Sequence, residues 1–193
     1  RHFLDNGFQS SGLDINQPML DRALTRCPEA EFSLQDMCGF SASQPFDLIT
    51  CFLYSIHYSA SLERLNACIA SVHAALAVGG LFCFNAVDRQ HIDNGSWVSH
   101  NVKHADSLFS FSSGWHYAGT GAQQALKLRI EKNTAGEKQV WNDTHPMVAV
   151  RFDELLALLA PYFDVQVLEH DYDKILPWDQ VSGNALFACV KIE

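Results

Sequence analysis

The stretch that most constrains this chain is Gly12-Leu13-Asp14-Ile15-Asn16-Gln17-Pro18-Met19-Leu20. The run from Phe8 to Ile15 reads as a short buried strand that delivers the carboxylate of Asp14 at its end. A helix from Gln17 to Arg26 follows, with Asn16 placed to cap it and Pro18 at an early position where a missing N–H costs little. A carboxylate at the C-terminal end of the second strand of an α/β sheet is placed to accept hydrogen bonds from ribose hydroxyls. The stretch predicts a ligand that carries a nucleoside.

The chain around it alternates strand and helix. Arg1 to Asn6 reads as the end of a helix stopped at Gly7. Ala30 to Leu34 alternates as a short strand and leads to a second acidic strand end at Gln35-Asp36-Met37. Pro45 to Phe52 is a continuous apolar run, as expected of a central parallel strand. Ser61 caps a helix whose Leu62, Leu65, Ile69, Val72 and Leu76 share one face, and Gly79-Gly80 is placed to close it. Leu81 to Val87 is another buried strand, ending at Asp88. Strands and helices linked in this way predict a parallel sheet covered by helices.

After Asp88 the texture changes. Residues 89–105 are polar and irregular, and Leu108 to Trp115, Gln124 to Lys132 and Lys138 to Val150 then alternate apolar and polar. They predict a three-stranded antiparallel insert, with the alternate aromatics Phe109, Phe111, Trp115, Tyr117 and Trp141 packed against the sheet. Gly119-Thr120-Gly121 is a turn, because no buried strand precedes it. Helix pattern resumes at Phe152, and strands at Phe163 to Leu168 and Asn184 to Ile192 close the chain. With no crossover helix between them, that last pair should run antiparallel. The expected organisation is one domain over 1–193, with a core of 1–88 and 151–193 and a cap insertion at 89–150.

Bulk properties narrow the partners. Of 193 residues, 22 are acidic and 13 basic, a net charge of -9 that disfavours nucleic acid or an anionic membrane as partner. No apolar span reaches the length of about 18 residues that a membrane helix needs. The six cysteines lie scattered in apolar segments without zinc-type spacing, which predicts no metal site and a reducing, cytoplasmic setting.

These signals, in this order, resemble a class I S-adenosylmethionine-dependent methyltransferase over nearly the whole chain. The resemblance rests on Gly12 to Leu20, Gln35-Asp36-Met37, Phe46-Asp47-Leu48-Ile49, Leu76-Ala77-Val78-Gly79-Gly80-Leu81-Phe82 and the antiparallel closing pair. It implies a Rossmann-like, mostly parallel sheet with an antiparallel last strand and a β insert as substrate cap. It also implies S-adenosyl-L-methionine as cofactor. Asp14, with Ile15 beside it, would bind the ribose, Met19 would lie against the adenine, and Asp36 and Met37 would meet the adenine amino group. Cys51, Phe52 and Leu53 would pass the methionine part. The family's first strand and glycine-rich loop are absent from the sequence. That strand belongs in the middle of the sheet, and its loss would expose two unpaired edges. The expectation is a chain that is N-terminally truncated or part of a longer one.

Methyl transfer needs alignment and, for an amine or hydroxyl acceptor, removal of a proton, for which histidine is suited. His116, in a layout similar to the amino-sugar N-methyltransferases, and His57, just after the fourth strand, are the candidates for the base. Tyr54, Tyr58, Trp115, Tyr117 and His145 are candidates to line the pocket of a small-molecule acceptor. The protein acting at N or O of such an acceptor, as monomer or homodimer, is the leading reading. A nicotinamide-dependent oxidoreductase is a rival, although Asp36, the closing pair and the lack of a Tyr-x-x-x-Lys motif speak against it. A non-catalytic binding module that keeps the fold is the other.

Overall fold

A computed structural model of the chain describes residues 1–171 and 173–193. A short helix, α1 (His2–Asp5), precedes strand β1 (Ser11–Asp14), helix α2 (Gln17–Arg26) and strand β2 (Glu31–Leu34). Then come β3 (Phe46–Cys51), a 3-10 turn (Ser55–Ser59), α3 (Leu62–Ala75) and β4 (Leu76–Val87). Four long strands follow: β5 (Val98–His104), β6 (Ser107–Tyr117), β7 (Gln123–Thr134) and β8 (Glu137–Val148). Helix α4 (Phe152–Leu159) and strands β9 (Phe163–Glu169) and β10 (Asn184–Lys191) complete the chain.

The main sheet comes in two pieces. β1 pairs in parallel with β2, and a separate sheet runs β3-β4-β10-β9. Among the described residues no strand joins β1 to β3, so each has one edge unpaired. β3 and β4 are parallel, and β10 inserts antiparallel between β4 and β9. Because β3 has a neighbour on one side only, it is not the fully buried strand its apolar run suggests: Leu48 is 39% exposed. The first predicted strand is also shorter than Phe8 to Ile15, since Phe8 and Ile15 are both exposed at its ends.

The core lies where β4 and β10 meet α3 and α4. Phe84 stacks on Phe187 with ring centroids 5.0 Å apart, and Phe152 meets Phe187 edge-on at 5.2 Å. Leu65, Ile69 and Val72 of α3 and Leu155 and Leu159 of α4 seal the cluster, as their helical spacing predicts. The end of α3 differs from expectation. The helix stops at Ala75, and Lys191 Nζ from β10 takes the carbonyls of His73 and Leu76, each at 2.8 Å. Leu76 already pairs with Phe46, the chain then detours, and pairing resumes at Leu81 with Leu48. Gly79 (φ +75°) lets the detour turn back.

The third sheet, β5-β6-β7-β8, is antiparallel throughout. It has four strands, not three: β5 was hidden because all seven of its residues are exposed and its sequence therefore lacks an apolar rhythm. No helix among the described residues is long and apolar enough to cross a membrane.

Candidate active site

Two carboxylates stand side by side at the ends of β1 and β2. Asp14 Oδ1 accepts the Asn16 N–H at 2.8 Å, and Asn16 in turn caps α2 by accepting the Met19 N–H at 3.2 Å. The Asp14 carbonyl accepts the Gln35 N–H at 3.2 Å, which ties the two strand ends together. Asp36 Oδ1 accepts the Cys38 N–H at 2.8 Å, and Oδ2 meets Arg64 of α3 at 2.6 Å. The Cys38 N–H first, and then the Arg64 guanidinium, hold the Asp36 carboxyl below its usual range. Ile15 and Met19 are exposed beside Asp14, whereas Met37 turns inward onto the core. Together they form an open ledge with two acceptors and apolar side chains.

Across the gap, β3 ends at Cys51 and the chain turns sharply. Leu53 and Tyr54 are both left-handed (φ 55° and 61°), a strained pair for residues with side chains. Two asparagines hold the turn in place. Asn85 Oδ1 accepts the Tyr54 N–H at 3.1 Å, and Asn184 Nδ2 meets the Tyr54 hydroxyl at 2.8 Å. Trp115 of β6 lies edge-on to Tyr54 at 5.3 Å, and His170 stacks on Tyr54 at 5.9 Å. Phe52 and Leu53 are left facing outward. Asn85 is fully buried, and its Nδ2 has no partner among the described residues.

The histidines sort themselves by partner. His57 is fully buried. Its Nε2 lies 3.0 Å from the Val87 N–H, which can only donate, so Nε2 accepts and the proton sits on Nδ1, donated to the Val148 carbonyl at 2.9 Å. Burial lowers its pKa to about 4, with the Val148 contact opposing. This is a correction to the expectation of a base: a neutral imidazole with both nitrogens spent on main chain staples β4 to β8. His116 needs correcting too. Neighbours on a strand point to opposite faces, so with Trp115 turned to Tyr54 and His57, His116 faces away from that cleft. Tyr117 donates its hydroxyl to the Gly121 carbonyl at 2.9 Å and carries Arg89 over its ring, which commits it to the root of the four-stranded sheet.

Tyr58 and His145 do come together: the Tyr58 hydroxyl lies 2.5 Å from His145 Nδ1. Four residues escaped sequence reasoning. Asn85 left a readable signal, a lone amide inside an apolar strand, and Asp143 sits two positions before His145 on an alternating strand. Asn184 and His170 left none, because neither stands in a pattern. No cluster of His, Cys, Asp and Glu fit for a metal occurs among the described residues.

The fold defined by this sheet order and closing pair is that of the class I methyltransferases. Along 98% of the chain it superposes on 77% of an S-adenosylmethionine-bound amino pentose methyltransferase from Micromonospora echinaspora, with a TM-score of 0.81 at 18% identity. Residues 1–80 match the family described as methyltransferase domain. Over 71 residues the chain is 30% identical to a dTDP-4-amino-2,3,4,6-tetradeoxy-D-glucose N,N-dimethyltransferase of Saccharopolyspora spinosa, covering 37% of this chain and 28% of that one. Over 105 residues it is 28% identical to a dTDP-3-amino-3,4,6-trideoxy-alpha-D-glucopyranose N,N-dimethyltransferase of Streptomyces venezuelae, covering 54% of this chain and 44% of that one. The matches thus span less than half the length of these curated relatives.

Proposed function

We propose that the protein is an S-adenosylmethionine-dependent methyltransferase whose acceptor is the amine of a small molecule, a deoxyamino sugar carried on a nucleoside diphosphate. The observation that carries the reading is the pair Asp14 and Asp36, set at adjoining ends of two parallel strands and tied together through Gln35. The residues present fit the adenosine half of the cofactor. Asp14 Oδ2 has no hydrogen bond among the described residues, and each Asp36 oxygen keeps a second lone pair for an amino group. Ile15 and Met19 offer apolar contact on the same ledge. When bound, the cofactor supplies a methyl group on a sulfonium sulfur.

The acceptor side belongs to Tyr54, Trp115 and His170, whose rings frame the turn after β3, with the buried amide of Asn85 behind them. Aromatic walls with one or two fixed polar groups suit a sugar or another small cyclic amine better than a macromolecule. The dTDP-amino sugar relatives support that acceptor class. A reducing, cytoplasmic setting agrees with six free cysteines.

Calorimetry of the natural full-length chain with S-adenosylhomocysteine tests the cofactor, and transfer of labelled methyl to dTDP-linked amino sugars tests the acceptor. Binding weakened about tenfold or more in Asp14→Ala is expected. Tight binding of reduced nicotinamide cofactor in its place would sink the reading.

A further inference from the structure

Across the seam between the 3-10 turn and β8, three side chains line up. The Tyr58 hydroxyl lies 2.5 Å from His145 Nδ1, and His145 Nε2 lies 3.2 Å from Asp143 Oδ2. An ionised carboxylate can only accept, so Nε2 carries the proton and Nδ1 presents its lone pair to the Tyr58 O–H. Asp143 and His145 stand two apart on β8 and therefore share a face. The cross-strand row Trp115, Leu126, His145 puts Trp115 on that face as well. Since Trp115 packs on Tyr54, the three side chains border the cleft that Tyr54 frames, about 10 Å along the row, or two strand spacings.

We propose that Tyr58, His145 and Asp143 form a proton relay that takes the proton from the ammonium of the methyl acceptor, a role that rests on the methyltransferase reading above. An amine that is protonated has no lone pair to offer the methyl carbon, so it must first lose a proton. Tyr58 Oη takes the N–H proton while its own proton moves to His145 Nδ1. The nitrogen keeps its electron pair, the phenol is re-formed, and the imidazolium, protonated on both nitrogens, lies against the Asp143 carboxylate. The His145 side chain is 30% exposed and returns the proton to water. Nothing is oxidised or reduced.

The surroundings agree with this role. Partial burial, and then the Asp143 charge, raise the pKa of Tyr58, which keeps the phenol protonated at neutral pH and makes it a conduit for protons, not a standing phenolate. The Thr144 N–H first, and then His145, hold the Asp143 carboxyl below its usual range, so it is ionised where the relay works. From β7, Leu126 and Leu128 pair with His145 and Asp143 and bring no charge. His57, on the same turn as Tyr58, is neutral, and Arg64 of α3 is drawn to Asp36.

The test uses the natural full-length chain, S-adenosylhomocysteine as binding probe and dTDP-linked 3-amino and 4-amino deoxy sugars as acceptors. In Tyr58→Phe and His145→Gln, kcat should fall about a hundredfold, the scale of a lost general base, with little change in acceptor KM or in S-adenosylhomocysteine affinity. Nitrogen-edited NMR of His145, without any acceptor, should show the Nε2–H tautomer in the wild type and a mixture in Asp143→Ala, which removes the carboxylate that holds that proton. Wild-type kcat in His145→Gln, or an unchanged tautomer in Asp143→Ala, would overturn the relay. A wild type that fails to bind S-adenosylhomocysteine overturns the methyltransferase reading itself. One that binds it yet methylates neither sugar overturns the amine chemistry that the relay serves.

Discussion

The root of the four-stranded sheet and the Asp14–Asp36 ledge are both built from polar groups on strand ends, yet they are held in opposite ways. At the root everything is inside. His57 joins β4 to β8, and Asp88 accepts the Gln90 N–H at 2.8 Å and the Phe152 N–H at 3.0 Å, capping a second 3-10 turn (Arg89–His91) and α4 at once. At the ledge the same kinds of bonds face water, and the strands carry open edges. The difference teaches which side is scaffold. Buried bonds fix the side that carries Tyr54 and Trp115, whereas the ledge keeps its hydrogen-bond acceptors available and contributes little to holding the fold.

That contrast can be broken in stages. Phe187→Ala, at the core beneath the root, should cost about 3–5 kcal/mol by urea unfolding. Titration of His57 should come next. Its pKa is depressed in the folded state, so its contribution is full above the free value of about 6.5 and is lost as pH falls towards about 4. The loss amounts to about 3 kcal/mol. Unfolding free energies measured across that window should flatten in His57→Gln. A slope that survives the substitution would mean that other groups drive it. Removing the double cap in Asp88→Ala should cost about 1–2 kcal/mol, visible as a lower melting temperature and faster exchange at the start of α4. At the ledge, Arg64→Ala breaks a half-exposed ion pair and should change stability by at most about 1 kcal/mol. Asp14→Ala should move stability by about 0.5 kcal/mol or less, while S-adenosylhomocysteine affinity falls about tenfold or more, the scale of one charged hydrogen bond. An Asp14 variant that unfolds the protein would erase the distinction between the two regions.

Legibility in the sequence followed the same division. Where a residue's role depends on neighbours along the chain, it could be read. Asn16 and Pro18 gave the start of α2, the helical face of α3 was visible in Leu65, Ile69 and Val72, and Asp14 and Asp36 declared themselves as strand ends. Roles that depend on residues far away in sequence could not. His57 looked like a base because nothing nearby says that Val87 and Val148 would occupy both nitrogens. His116 and Trp115 are adjacent letters, and only the pairing of β6 with β7 and its packing on Tyr54 decides which of them faces the cleft. The end of α3 was assigned to Gly79-Gly80, because Lys191, more than a hundred positions on, gives no hint that it will take those carbonyls. Strand β5 escaped for another reason: a strand exposed on both faces has no hydrophobic period to detect.

The Arg89 N–H donates to the Val150 carbonyl at 3.1 Å, so the chain leaves for the four-stranded sheet and returns from it at nearly the same point. A segment whose two ends already touch can be lengthened, shortened or exchanged at small entropic cost to the rest of the molecule. Such a doorway gives evolution, or an engineer, a transplantable module. Grafting residues 90–149 from another chain of this fold should change which acceptor is recognised while the ledge at Asp14 stays as it is.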